Sequence, residues 1–229
     1  MKKIVFIGAG SIIFVKNLIG DCLRTPSLQD AEFALLDINK EKLYLAEGML
    51  KNLNNNINQG KATIRAYDSQ KEALKDADFV INAIQVGGYD PCVIGDFEIP
   101  LKYGLRQTYA DTLGIGGIFR GLRTIPVMQG ICQDMAEVCP DAWLLNYTNP
   151  MAIVTGAILK STNIRTIGLC HSVQSCTSDL MKIIGMDPEG VEYKIAGINH
   201  QAWLLEVTRD GADLYPEIKR RAASLTEAH

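Results

Sequence analysis

The feature that most constrains the fold is a glycine-rich turn between a short apolar strand and a helix at the amino terminus. Residues 2–7 predict a strand, Gly8-Ala9-Gly10-Ser11 follows at once, and residues 12–23 have helical apolar spacing. In this context Gly8 permits a tight turn, and Gly10 lets the backbone approach a pyrophosphate at the amino end of the helix. The third glycine of the dinucleotide-binding fingerprint is missing, because Ile13 stands there.

A second strand supports a dinucleotide site, because it ends in an acid. Residues 31–36 predict a buried strand, and Asp37 follows. At this position a carboxylate accepts the two ribose hydroxyls of the adenosine and repels a 2′-phosphate, which favours NAD over NADP. The alternative role for Asp37 is a cap for the helix from Asn39 onward. The preceding glycine turn favours the cofactor role.

Strands and helices then alternate, which is typical of a Rossmann-like, doubly wound parallel sheet of the α/β class. A segment with paired glycines, Gln85-Val86-Gly87-Gly88, leaves the predicted fourth strand. Paired glycines there indicate either a backbone that approaches a ligand, with Gln85 beside the cofactor, or a plain turn. The alternating elements are predicted at residues 40–59 (helix), 62–67 (strand), 69–75 (helix) and 78–82 (strand).

Composition limits the function classes. Apolar residues make up 47% and charged residues 21% of the chain, as in globular proteins. The net charge of −3 argues against nucleic acid as a partner, and no apolar run reaches membrane-spanning length. Six cysteines without a CxxC pair indicate reduced thiols, so we expect a cytoplasmic protein.

Two further segments carry polar residues at predicted helix starts. A glycine-rich loop at residues 109–117 precedes a helix predicted from Ile118, with Arg120 and Arg123 in its first turns. Basic residues there oppose the helix dipole, so we expect either a dedicated anionic partner or an ordinary surface ion pair. Asn149 follows a predicted strand, where it could lie at the mouth of a ligand crevice or cap the next helix, which Pro150 would begin.

The last chemically informative groups are a thiol and two imidazoles. Cys170 and His171 follow an apolar run, and His200 ends another at Gly197-Ile198-Asn199-His200. The spacing alone does not define a metal site, since single Cys and His residues are usually core residues. Two protein ligands would nevertheless leave coordination positions for substrate oxygens, as catalytic metals need.

Together these stretches resemble glycoside hydrolase family 4, and within it the melibiase-type α-galactosidases. The resemblance covers nearly the whole chain, in the family's order. The matching stretches are Gly8-Ala9-Gly10-Ser11, Gly87-Gly88-Tyr89, residues 110–117, residues 122–126, residues 145–150, Cys170-His171-Ser172-Val173 and Gly197-Ile198-Asn199-His200.

The resemblance implies an NAD-binding domain at residues 1–190, the beginning of an α+β substrate domain at residues 191–229, and a homodimer or homotetramer. It implies a glycosidase that uses NAD and Mn²⁺, an exception to the two-carboxylate rule for sugar hydrolysis. NAD⁺ would take hydride from C3 of the sugar, a base would remove the C2 proton, and a metal would stabilise the enediolate. The bond from C1 to oxygen would break, water would add, and the hydride would return.

The same resemblance assigns roles by position. Gln85 stands where phospho-sugar branches have arginine, and it cannot supply that charge to a phosphate, so an unphosphorylated α-galactoside is the better expectation. The implied site residues are Gly8, Gly10, Ser11, Asp37 and Gln85 for NAD, Cys170 and His200 for the metal, Asn149, Cys170 and His171 for the sugar, and His171 or Asp111 as the acid.

The chain departs from the family pattern in two respects, and other functions stay open. Ile115 replaces a usual proline, and the tyrosine base is expected in a further part of a longer protein. Thiolate and imidazole by themselves favour zinc or iron, so manganese depends on the resemblance. The alternatives are a family 4 α-glucosidase or α-galacturonidase, a catalytically inactive NAD-binding module, and a lactate- or malate-type dehydrogenase that uses His171, Asp111, Arg120 and Arg123.

Overall fold

The structure is a computed structural model that describes residues 1–106 and 112–227. The chain divides into two compact units: unit 1 comprises Met1–Leu169, and unit 2 begins at Cys170. The domain boundary expected at residue 190 stays a prediction. In the described residues, no helix is long and apolar enough to cross a membrane.

Unit 1 is built on a six-stranded sheet with the order β3-β2-β1-β4-β5-β6, in which every neighbouring pair is parallel. This order belongs to the doubly wound dinucleotide-binding folds, so the predicted Rossmann-like class is confirmed. The strands are β1 (Lys3–Ile7), β2 (Glu32–Leu36), β3 (Thr63–Ala66), β4 (Phe79–Asn82), β5 (Trp143–Asn146) and β6 (Arg165–Gly168).

Helices cover both faces of this sheet, which explains why β1, β2 and β4 carry continuous apolar runs. Along β1, Ile4 and Phe6 enter one buried cluster, whereas Val5 and Ile7 enter the other. Successive side chains of a strand point to opposite faces, so both sets are buried only where both faces are covered. The helices are α1 (Ile12–Arg24), α2 (Lys40–Asn58), α3 (Gln70–Leu74), α4 (Ile94–Lys102), α5 (Gly114–Val138) and α6 (Met151–Ser161).

Two sequence predictions about helix starts were wrong. Helix α5 begins at Gly114 and not at Ile118, so the last glycines of the predicted loop are helical. Close packing explains one of them, because a Cβ atom on Gly117 would lie 2.7 Å from the carbonyl carbon of Thr112. Pro150 precedes α6 as its capping residue and is not its first helical residue.

Unit 2 combines a helix, a small antiparallel sheet and a second helix. The elements are α7 (Ser172–Ile183), β7 (Glu192–Ile198), β8 (Gln201–Arg209), β9 (Ala212–Asp213) and α8 (Tyr215–Glu227). The sheet order is β7-β8-β9, and both pairs are antiparallel. Its buried cluster is small and comprises, among the described residues, Met181, Ile184, Val207 and Ile218.

Candidate functional site

The glycine turn of unit 1 is closed on both sides by backbone atoms. The amide groups of Gly8 and Ala9 both donate to the carbonyl oxygen of Leu36, at 2.9 and 3.1 Å. Gly8 has φ of 94°, and a Cβ atom there would lie 2.6 Å from the carbonyl oxygen of Ala83. Only glycine fits such a position, because the backbone is left-handed and there is no room for a side chain.

Asp37 fastens the second half of this turn. Its Oδ2 atom accepts a hydrogen bond from the Gly10 amide at 2.7 Å, and its Oδ1 atom accepts one from the Asn39 amide at 2.8 Å. The cap of α2 is Asn39 itself, whose side chain accepts from the Lys42 amide at 3.0 Å. A carboxylate has about four acceptor positions, so Asp37 retains capacity for ribose hydroxyls.

The turn opens at the switch point of the sheet. In the order β3-β2-β1-β4-β5-β6 successive strands are added on one side of β1 up to β3 and on its other side from β4 onward, so the strand order reverses between β1 and β4. Ligands of doubly wound sheets bind at the carboxyl ends of the strands at such a point. Ser11 is exposed before the first turn of α1, and Gln85 is exposed in the segment that follows β4. Both predicted cofactor residues therefore lie at the sheet edge where a dinucleotide is expected.

A buried polar network with no predicted role links the ends of β4 and β5. Asn82 donates from Nδ2 to Asn146 Oδ1 at 3.1 Å and to Thr148 Oγ1 at 2.8 Å. The Thr148 hydroxyl also accepts from the Ile84 amide at 2.9 Å and donates to the Ile84 carbonyl oxygen at 3.2 Å. The sequence does carry a signal for this network, because Asn82 and Asn146 are polar residues at the ends of two buried strands. Buried polar groups need hydrogen-bond partners.

Asn149 follows this network and makes a contact of the capping kind. Its Oδ1 atom accepts a hydrogen bond from the Met151 amide, the first residue of α6, at 3.2 Å. Asn149 thus satisfies one free amide at the start of α6 from the position before the capping residue Pro150 and is not itself the cap. The Nδ2 group can still act as a donor towards a ligand, so the two expected roles are compatible.

Arg123 has an internal anionic partner. Its Nη1 and Nη2 atoms lie 2.8 and 2.5 Å from the two carboxylate oxygens of Asp96, which is buried. Its Nε atom donates to the Val86 carbonyl oxygen at 3.0 Å. The hydrogen bonds with Asp96 hold the pKa of Arg123 above its ordinary value, although burial opposes this. The pair is thus a bidentate one between a partly buried guanidinium and a buried carboxylate, and not a surface ion pair.

In unit 2 the predicted metal ligands lie side by side. Cys170 Sγ is 3.6 Å from His200 Nε2. Two tetrahedral ligands at about 2.3 Å (sulfur) and 2.0–2.1 Å (nitrogen) stand roughly 3.6 Å apart, so one cation can reach both atoms. Asn199 and His200 form a two-residue turn between β7 and β8, and His200 has φ of 63°.

The Cys170 thiol is prepared for the thiolate form. Burial by itself would raise its pKa, but hydrogen bonds from the Ser172 hydroxyl, the Ser172 amide and the Asn199 side chain outweigh burial and lower it. Ser172 Oγ lies 3.1 Å and the Ser172 amide nitrogen 3.5 Å from the sulfur. Because the thiolate is the metal-binding form, this environment fits a metal ligand.

The two candidate acids are His171 and Asp111. His171 is exposed and occupies the position directly before α7, where its side chain makes no capping hydrogen bond. Asp111 lies outside the described residues. Among residues 1–106 and 112–227 no group of three or more His, Cys, Asp or Glu side chains could hold a metal ion. A metal held by Cys170 and His200 would therefore need further ligands, as expected for a site that also binds substrate oxygens.

Comparison with known families explains the order of these motifs. The family described as Family 4 glycosyl hydrolase matches residues 3–186, and the Family 4 glycosyl hydrolase C-terminal domain matches residues 195–229. The predicted family resemblance is confirmed. It favours the glycosidase interpretation over the lactate- or malate-type dehydrogenase.

Individual relatives agree with this. An α-galactosidase of Bacillus subtilis (strain 168) is 65% identical over 97% of this chain and 51% of its own length, and one of Rhizobium meliloti (strain 1021) is 40% identical over 91% and 42%. A solved 6-phospho-α-glucosidase from gut microorganisms, in complex with NAD and Mn²⁺, has a TM-score of 0.85 at 26% identity, covering 97% of this chain and 51% of that one. The chain spans about half the length of these relatives.

Proposed function

The chain belongs to the family 4 glycosyl hydrolases, and we propose that it is part of an α-galactosidase that acts with NAD and Mn²⁺. The observation that carries the substrate class is the identity of 65% with an α-galactosidase over 97% of this chain. The NAD and Mn²⁺ of a solved relative support both cofactors. An unphosphorylated sugar is favoured because Gln85 offers no charge to a phosphate. A cytoplasmic location and a homodimer or homotetramer remain predictions.

The residues of unit 1 fit the dinucleotide. Gly8 and Gly10 keep the turn free of side chains, so a pyrophosphate can approach the amide groups at the start of α1. Asp37 accepts the ribose hydroxyls and disfavours a 2′-phosphate. Bound NAD supplies a hydride acceptor and donor. Asn149 donates from Nδ2 to the hydroxyl groups of the sugar.

The residues of unit 2 fit a divalent metal. Cys170 and His200 provide two donor atoms 3.6 Å apart, one of them a thiol with a lowered pKa. The metal supplies Lewis-acid stabilisation of an oxyanion on the sugar. His171 is exposed next to Cys170, where its imidazole can hold a proton for the leaving oxygen. Asp111 is the second candidate for that proton.

The test is release of nitrophenol from a nitrophenyl α-galactoside, with NAD⁺, Mn²⁺ and a thiol reductant present together or omitted one at a time. We expect release only when all three are present, without net NADH, because the hydride returns to the product. The matched control is the β-anomer of this substrate. The 6-phosphorylated α-galactoside tests the prediction, made from Gln85, that the sugar is unphosphorylated.

Three outcomes would contradict the proposal. Release that does not depend on NAD⁺ would exclude redox elimination, and net NADH from a hydroxy acid would favour the dehydrogenase alternative. If this chain releases nothing, the assay is repeated on a protein of the relatives' full length, and failure there would leave only the dehydrogenase and nucleotide-binding alternatives.

A further inference from the structure

The segment after β4 is held at both neighbours of Gln85 by side chains from other elements. On one side the Thr148 hydroxyl bonds both backbone groups of Ile84, at 2.9 Å to the amide and 3.2 Å to the carbonyl oxygen. On the other side Arg123 Nε donates to the Val86 carbonyl oxygen at 3.0 Å. The Gln85 side chain is exposed between these two fixed residues.

Each anchor is itself fixed. The Thr148 hydroxyl accepts from Asn82 Nδ2 at 2.8 Å in addition to its two bonds with Ile84. One donor and two acceptor positions are all that a hydroxyl has, so this one has a single orientation. Thr148 is only 2% exposed, which protects the arrangement from competition by water.

The Arg123 anchor is fixed by charge and shape. The fork of the guanidinium bonds both oxygens of Asp96, a carboxylate that is 2% exposed and belongs to α4. Gly87 completes the packing, because its φ is 93° and a Cβ atom there would lie 2.5 Å from Cys92 Sγ. The backbone from Ile84 to Gly87 therefore has little freedom before any ligand binds.

The position of this segment indicates what it serves. The half of a doubly wound sheet formed by β1–β3 carries Asp37 for the adenosine ribose, and the half formed by β4–β6 receives the second mononucleotide. We infer that Thr148 and the Arg123–Asp96 pair are positioning residues that hold Gln85 against the nicotinamide half of NAD. This rests on the proposed function, and it adds residues for which the family resemblance gave no role.

The experiment measures the dissociation constants of NAD⁺ and ADP by calorimetry for the wild type and for Thr148→Val, Thr148→Ser and Arg123→Lys. Valine keeps the shape and loses the hydroxyl, serine keeps the hydroxyl, and lysine keeps the charge and loses the fork. ADP probes only the adenosine side. We expect Thr148→Val and Arg123→Lys to weaken NAD⁺ binding about three- to tenfold, with ADP binding unchanged and Thr148→Ser close to the wild type.

A matched control is Thr124→Val. Thr124 is fully buried, and its hydroxyl has no hydrogen-bond partner within the described part of the chain, so both affinities should stay unchanged. Double variants with Gln85→Ala test whether the anchors act through Gln85. In that background Thr148→Val and Arg123→Lys should add almost nothing, because coupled residues are not additive.

The possible failures are distinguishable. A wild type that does not bind NAD⁺ would overturn the proposed cofactor and this inference with it. Normal NAD⁺ binding by both Thr148→Val and Arg123→Lys would overturn the inference alone. An equal loss of ADP and NAD⁺ affinity would also overturn it, since that result indicates general damage to the fold. Full additivity with Gln85→Ala would overturn it too, since the anchors would then act independently of Gln85. Arg123→Lys tests one anchor even if Thr148→Val does not fold.

Discussion

In unit 1 the candidate site residues stand at the end of a sheet that is buried on both faces, whereas in unit 2 the Cys170–His200 pair stands beside a hairpin whose strands are mostly exposed. Trp203, in β8, is 73% exposed. Unit 1 thus fixes its loops through a large core. Unit 2 holds the Cys170 thiol through hydrogen bonds from Ser172 and Asn199.

The largest expected effect on stability comes from replacing a buried methionine with alanine in the core of each unit. Met135 and Met181 are both fully buried, one in each unit. Truncation of a buried methionine to alanine costs about 2–5 kcal/mol, and less where the surroundings can collapse. We expect Met135→Ala to lie near the upper value and Met181→Ala near the lower value of that range, measured as the free energy of unfolding in urea. Equal costs would show that the small core is as rigid as the large one.

The second prediction concerns the metal pair. Cys170→Ser replaces the thiolate with a poor metal ligand. Loss of a residue that only supports a ligand lowers metal affinity by about 10- to 100-fold, so loss of the ligand itself should lower the affinity for Mn²⁺ by more than about a hundredfold. Calorimetry measures the affinity. Cys176→Ser is the matched control, because that thiol is exposed and has no assigned role. A similar loss in both variants would remove Cys170 from the site.

The third prediction tests the glycine turn. Gly8→Ala forces a left-handed backbone on alanine and brings its Cβ atom to 2.6 Å from a carbonyl oxygen, so stability should fall by about 2 kcal/mol. Gly48→Ala is the control. It lies inside α2 with no atom within 4 Å of the added Cβ, and it should stabilise by about 0.5–1 kcal/mol. Thermal unfolding measures both, and a neutral Gly8→Ala would refute the closed turn.

The smallest effect is a shift in pH dependence. Hydrogen bonds lower the pKa of Cys170 below its ordinary value of 9.0. The thiolate form therefore stabilises the folded state. This stabilisation is fully present above pH 9.0 and is lost as the pH falls through the lowered pKa. Ser172→Ala removes one hydrogen bond, so the midpoint of Cys170 alkylation by iodoacetamide should move to higher pH.

Ser175→Ala, on the same helix as Ser172, is the control for that titration. It leaves both hydrogen bonds from Ser172 in place, so its midpoint should coincide with that of the wild type. An unchanged midpoint in Ser172→Ala would mean that other groups govern the thiol. Peptide mapping assigns the alkylated residue.

The parts of the fold that were predictable from sequence depend on local signals. Each of these signals involves only a few consecutive residues: the glycine turn, the acid after β2 and the apolar strands. The structure contains the predicted parallel sheet. The start of α5 was missed because glycine disfavours helices in general, and its helical Gly117 is explained only by close contact with Thr112.

The missed features of the site depend on contacts that are distant in sequence. Asn82 and Thr148 are 66 residues apart, and Arg123 and Asp96 are 27 apart. Neither pair has a sequence signature, since their meeting is set by neighbouring strands and packed helices. The turn that presents His200 also lacks the usual Asn-Gly signal of a two-residue hairpin.

The most direct test of the proposed redox glycosidase is the isotope content of its product. The reaction with a nitrophenyl α-galactoside is run in D₂O with NAD⁺, Mn²⁺ and a thiol reductant, and the released galactose is analysed by NMR. Removal and return of the C2 proton predicts deuterium at C2. Galactose that keeps only protium at C2 would contradict the account, because the C2 proton would then not have been removed and replaced from solvent during the reaction.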